Sequence, residues 1–188
     1  MKNKTLLLTL LFSVRLFAQN SLPEGITVPD YAGDMVAYDT ASKQSLRLEK
    51  QRANVFVSTK AYSATKQGKS VDGERSPVRI GAGQSIRFFI KWQAPGGVEV
   101  NPADVICMGK FEVRKGKRTV TTLTSKSGFM SLKRETSGNQ DYKIGIEFRK
   151  MERDLVEIII SGNLPEGEYF FGTEYGIDMA CFGVDASK

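Results

Sequence analysis

Alternation of apolar and polar side chains limits what this 188-residue chain can fold into more than any other feature. Ile86, Phe88, Ile90 and Trp92 take every second position, with Ser85, Arg87 and Lys91 on the other side and Phe89 alone out of step. Tyr142, Ile144, Ile146 and Phe148 repeat the pattern against Lys143, Gly145, Glu147 and Arg149. Period two sends successive side chains to opposite faces of a strand. No stretch keeps an apolar 3.6-residue period over the roughly ten residues that a helix needs.

Read along its length, the chain is a series of short strands between breakers. Met35–Tyr38 is a strand, Asp39–Lys43 a turn, and Ser45–Glu49 and Ala53–Ser58 are further strands. Ser63 to Ser76 is polar and glycine-containing, and reads as a long loop or a frayed hairpin around Val71-Asp72-Gly73. Phe111 and Val113 alternate with Lys110, Glu112 and Arg114, and Lys115-Gly116-Lys117 reverses the chain into Thr119–Thr124, which reads as a hairpin. Ser125 to Asp141 reads as a second long polar loop. Leu155–Ser161 contains Ile158-Ile159-Ile160, a run suited to a strand covered on both faces. Glu168–Thr173 and Asp178–Val184 complete the series. Threonine, valine, isoleucine and aromatic residues fill the regular segments and glycine the turns, so the expected class is all-β, an antiparallel two-sheet sandwich with an extra N-terminal hairpin.

Leu164-Pro165-Glu166-Gly167-Glu168-Tyr169 has the order of residue types that a corner between two sheets requires. Pro165 cannot donate to a ladder, Gly167 tolerates positive φ, and the phenol of Tyr169 can pack inward while its hydroxyl bonds back to the corner backbone. With the strand order from Pro77 to Val184, Leu164, Pro165, Gly167 and Tyr169 resemble the tyrosine corner of immunoglobulin- and fibronectin-type domains. The position two after the tyrosine is Phe171 rather than cysteine, and Trp92 falls one strand early, so the likeness is to the immunoglobulin-like architecture and not to antibody domains. The whole chain also resembles exported β-sandwich proteins of Gram-negative bacteria, which pair a signal peptide with a late Leu-Pro-x-Gly-x-Tyr and a terminal strand like Cys181-Phe182-Gly183-Val184-Asp185. That resemblance implies a compartment and a fold, and no activity.

Residues 1–18 join two lysines, the apolar run Thr5–Val14 and a small residue at Ala18, the composition of a cleaved signal peptide. The run is too short to span a bilayer and Arg15 interrupts it, so no transmembrane segment is expected in the mature form. Residues 19–33 are rich in breakers and read as a flexible leader, leaving 34–188 as one β-sandwich domain. Lys2, Lys4 and Arg15 fall in the signal and no acid does, so the formal charge of +6 drops to +3 on cleavage. That excess is too small to argue for nucleic acid. Cys107 and Cys181 fit no metal-ligand spacing; in an exported protein they can form one disulfide, although two buried thiols on separate strands is the favoured reading.

The chain contains no histidine, which removes Ser-His-Asp and Cys-His nucleophilic sites, imidazole bases and histidine-ligated metals together. Neither a cofactor nor a metal is expected. Arg114, Lys115, Lys117 and Arg118 place four charges at a hairpin tip that can grip a polyanion; the plainer reading is a solvated turn guarding a sheet edge. Phe129 and Met130 form an apolar pair in a polar loop, either a contact point or a plug under that loop. Glu166 and Glu168 flank the corner and Glu147, Glu152, Asp154 and Glu157 crowd the preceding hairpin, where paired carboxylates can hydrolyse a glycoside, but cross-strand charge pairing is the better account. Asp72-Gly73-Glu74, Asp39 and Asp141 follow no calcium-loop pattern. Trp92 and Phe88 read as core rather than as a sugar platform.

The expected function is therefore that of an exported non-catalytic domain at the cell envelope, binding a protein or glycan through loops or a sheet edge. Two alternatives stand beside it: a carbohydrate-active enzyme using paired carboxylates, and an envelope assembly component whose edge strand accepts a partner strand. An uncovered, uncharged edge favours the last; lysines along both edges count against it.

Overall fold

A computed structural model describes residues 21–60, 64–93, 100–127, 134–152, 154–174 and 176–186. They form an all-β structure of sixteen strands in three sheets, whose pairings are antiparallel apart from one short parallel pair. The first sheet has the order β13-β14-β7-β1-β2, from β1 (Met35–Asp39), β2 (Gln44–Arg47), β7 (Ile86–Lys91), β13 (Ile146–Lys150) and β14 (Leu155–Ile160). The second has the order β12-β8-β15-β16-β3: β3 (Glu49–Arg52), β8 (Ile106–Lys110), β12 (Lys143–Ile144), β15 (Gly167–Thr173) and β16 (Asp178–Asp185), with β6 (Arg79–Gly81) parallel to β16. The third has the order β11-β10-β5-β4: β4 (Asn54–Lys60), β5 (Ala64–Asp72), β10 (Lys117–Ser127) and β11 (Arg134–Gly138), with β9 (Glu112–Arg114) also on β10.

Alternation fixes the layering. Met35 and Ala37 of β1, Phe88 and Ile90 of β7, and Val156 and Ile158 of β14 share one core with Met108 of β8, Tyr169 and Phe171 of β15, and Phe182 and Val184 of β16. This core joins the first and second sheets. The intervening positions of the second sheet, Phe170, Met179 and Cys181, pack instead with Val71, Phe111 and Val120 beneath the third sheet. The second sheet is thus a middle layer covered on both faces, which is why Tyr169-Phe170-Phe171 is an unbroken apolar run. Its close packing leaves no room at Gly109, where a Cβ would stand 2.6 Å from the Phe170 ring and 2.7 Å from that of Tyr142.

The structure differs from the sequence reading in two ways. There is a third sheet, and its β5 and β11 come from the two segments read as long loops. The leader is not loose where it is described: Leu22, Ile26 and Val28 pack on the outer face of the first sheet against Val36, Tyr38, Phe89, Met151 and Leu155. The Tyr38 hydroxyl donates to Glu24 O at 2.8 Å and the Gly33 amide to Lys91 O at 2.8 Å, which straps residues 22–33 to the sheet. Phe89 is out of step because it serves this third, smaller cluster and is fully buried there. The two cysteines are free, and β15 separates their strands, with Cys107 opposite Gly172 and Cys181 opposite Phe170.

Candidate functional site

The corner is built as its residue types require. Tyr169 is fully buried, and its hydroxyl donates to Pro165 O at 2.5 Å. Leu164 packs on the main core. Gly167 sits at φ +156°, where a Cβ would run into Lys110, and the Lys110 ammonium donates to Glu166 O at 2.9 Å while lying 5.5 Å from the Tyr169 ring centre. These contacts hold the corner together.

The basic tip is smaller than its sequence suggests. Lys115 and Gly116 form the two-residue turn between β9 and β10, both at positive φ, as a tight hairpin demands. Arg114 is paired with Glu112 at 2.7 Å and Lys117 with Asp72 at 2.9 Å, both on the surface. Arg118 is not at the tip. It shares a face with Val120, pointing toward the middle sheet, and is 1% exposed. Its guanidinium meets Glu49 at 2.9 Å and lies 3.9 Å from Glu168. It donates to the carbonyls of Gly73 and Asp72 and lies 5.8 Å from the Phe111 ring centre. Glu168 is held in turn by Arg79 and by the Ser76 amide, and Arg79 continues to Asp185, which also takes Arg75. Three arginines and three carboxylates thus link the second and third sheets, neutral as a set. Burial works to raise the Glu49 carboxyl, but hydrogen bonds from Arg118, Ser76 and Gln51 outweigh it and hold the group below its usual range. Asp185 is likewise low, chiefly through the Arg79 hydrogen bond. Phe129 and Met130 lie outside the described residues.

The other acids are also engaged. Glu157 is buried on the outer face of the first sheet, bonded to Arg87 at 2.6 Å and to Arg149, its direct cross-strand partner, at 3.4 Å. A groove of about 850 Å³ opens near the corner, lined by Ile80, Ile86, Ile160, Leu164, Glu157 and Glu166 among others. Its buried carboxylate is the arginine-bound Glu157. Asp39, Glu49 and Asp185 all have pKa values displaced downward, the wrong direction for the general acid of a glycosidase. Trp92 is packed on the main core and donates its indole N–H to Val100 O at 2.8 Å, which leaves it unsuited to stack a sugar. Among the described residues no group of three metal-ligating side chains converges, and no helix is long and apolar enough to cross a membrane.

Sheet edges tell a different story. A free edge leaves every second backbone N–H and C=O unpaired, and natural proteins guard such rows with charge or shortness. Most edges here are guarded: β13 carries Glu147, Arg149 and Lys150, β3 carries Glu49, Lys50 and Arg52, β11 carries Arg134 and Glu135, and β2 and β12 have four and two residues. Among the described residues β4 is the longest edge strand, at seven residues, and it runs from Asn54 to Thr59 without a charge, glycine or proline. Val55 and Val57 are 57% and 66% exposed. They lie across from Lys69 and Gln67, on the face from which the Lys69 ammonium reaches the carbonyls of Thr173, at the end of β15, and of Glu174 and Gly176 in the turn that follows it. That face therefore looks toward the body, and the third sheet overhangs it at β4. Nothing in the order of residues announced this: Ala53–Ser58 reads as a strand, but whether a strand is central or an edge is set by partners distant in sequence.

Comparison with known proteins found no matching family model, no matching curated protein and no matching solved structure.

Proposed function

We propose that this chain is an exported, non-catalytic binding protein of the cell envelope that engages another polypeptide by strand addition to β4, on an immunoglobulin-like chassis formed by the first two sheets and the Tyr169 corner. The observation that carries the reading is the β4 edge, which no other described strand covers: long, uncharged over Asn54–Thr59, and bearing two exposed valines. Strand addition draws affinity from main-chain hydrogen bonds and selectivity from alternate side chains, so it needs no pocket and no titratable residue. Arg114 and Lys117 are paired with acids and Arg118 is buried, which argues against a polyanion ligand at the tip, and the arginine-locked carboxylates argue against glycoside hydrolysis. Export rests on residues 1–18, whose composition is that of a signal peptide.

A photo-crosslinking residue placed at Val57, with a second variant at exposed Tyr31 on the strap as control, tests the proposal in living cells. Adducts at position 57 that vanish when Val55 is also changed to lysine are expected. Equal adducts at both positions, or none at 57, would refute it.

A further inference from the structure

We infer that the third sheet is a hinged lobe, which lifts from the middle sheet in acid at its Arg118 end while the first two sheets stay closed. The inference stands apart from the strand-addition reading, and either can fail without the other. Each of the two sheet contacts has its own core. Among the described residues, fourteen buried side chains join the first and second sheets and seven join the second and third. Of those seven, Val71 of β5 and Val120 of β10 are the ones that lie within strands of the third sheet. Arg118 stands opposite Val71 and Lys69 opposite Val120, so two cations share that face with two valines. Apolar burial by the third sheet is thin, and charge pins it at two points.

The two pins differ in kind. The Lys69 ammonium donates to the carbonyls of Thr173, Glu174 and Gly176, and carbonyls do not titrate. Arg118 depends on carboxylates: it bonds Glu49 and lies near Glu168, which Arg79 shares, and Arg79 and Arg75 both reach Asp185. Gly183 makes room for this set, because a Cβ there would overlap the Arg79 guanidinium. The other groups at this end are Gln51, the Cys181 thiol, the exposed Glu74 and Glu166, and the surface pair of Lys117 with Asp72. Glu49, against the effect of burial, and Asp185, through Arg79, stay ionised below the ordinary carboxylate range, and the joint holds while they do. Once they take up protons, three guanidiniums outnumber the charges that face them. Arg118 is 1% exposed and cannot shed its proton, so it is relieved only by regaining water. Lifting this end of the sheet admits that water, and the Lys69 pin, which acid leaves intact, makes the motion a swing rather than a release.

Two built-in probes tell the lobes apart. Cys181 is fully buried beneath the third sheet, directly across from Glu49, and Trp92, the single tryptophan, packs on the main core. The purified mature protein is treated with a pyridyl disulfide, a thiol reagent that stays reactive in acid, from about pH 7 down to about pH 3. Peptide mapping identifies the labelled cysteine, and a small free thiol corrects the rate at each pH. Below about pH 4, Cys181 is expected to react about tenfold or more faster than at neutrality while Trp92 emission holds its native position. Glu49→Gln should bring the same labelling at neutral pH. Asp39→Asn alters another depressed carboxyl, in the turn after β1 and outside the joint, and should leave the profile unmoved. Cys181 that stays protected until Trp92 emission changes with it overturns the inference, since the sheets then yield as one unit. A shift from Asp39→Asn as large as that from Glu49→Gln overturns it too. If Glu49→Gln does not fold, the wild-type titration decides alone.

Discussion

Replacing Arg118 by methionine is the sharpest test of how the second and third sheets are joined. Methionine preserves most of the stem volume and removes the charge. Arg118 is 1% exposed, so its loss leaves Glu49 and Glu168 without the cation between them and leaves the carbonyls of Gly73 and Asp72 without a donor. Breaking a buried pair by deleting one partner costs about 3–5 kcal/mol. Here Glu168 keeps Arg79 and the Ser76 amide, and Glu49 keeps Gln51 at 2.7 Å, so roughly 2–4 kcal/mol is the better expectation. At about 2–4 °C per kcal/mol for a domain of this size, Tm should fall by about 5–15 °C. Urea unfolding followed by the fluorescence of Trp92, the single tryptophan, and by circular dichroism gives the free energy. Adding Glu49→Gln should cost much less in the Arg118→Met background than in wild type, a coupling of about 1–3 kcal/mol. A loss below about 1 kcal/mol for Arg118→Met, or strict additivity of the pair, would show that the network does not join the sheets.

Other consequences are as direct. Tyr169→Phe removes the donor to Pro165 O at the corner and should cost about 1–2 kcal/mol by the same unfolding assay, with the spectrum of the native state unchanged; no loss would mean that packing alone holds the bend. Glu49 and Asp185 have depressed pKa values in the folded state, so the stability they confer is complete above the ordinary carboxylate range of about 4 and is lost as pH falls through and below it. Unfolding free energy should therefore drop on acidification below about pH 4.5, and less steeply in Glu49→Gln; equal slopes would refute the assignment. Burial pushes the Cys181 thiol up to about 12 and raises Cys107 as well, so a thiol reagent at mild alkaline pH should leave Cys181 unmodified in native protein and label two thiols in urea. A single disulfide in the unreduced, unfolded protein would contradict the strand placement.

The parts of the fold visible in the sequence are those where burial enforces alternation. β7, β13, β14, β15 and β16 show an apolar set on one face or both, and the corner residues name their own roles. The third sheet was hidden because β5 has little to bury: of Ala64–Asp72, Val71 is its contribution to a core cluster. Its residues are held by pairing to β4 on one side and β10 on the other, with the Phe56 ring lying over Gly68, and none of this leaves an apolar period. Arg118 reads as one of a basic run because its neighbours are contiguous, although its parity with Val120 places it inward. Leu22, Ile26 and Val28 are too irregularly spaced to mark an element, yet they find a face because Val36, Tyr38 and Phe89 supply one. The edge was illegible for the reason that makes it interesting. Which strand ends a sheet depends on partners dozens of residues away.

The middle layer also dictates timing. β15 and β16 lie between neighbours that a ribosome has already made, from β3 through β14, and both flanking cores need their side chains. Until residue 185 is available, the outer sheets have nothing to close upon, and the nascent polypeptide stays open and threadable. Under the proposed export, which would carry the chain unfolded through a narrow channel, that delay is an advantage. The strands that lock the structure are the last to arrive.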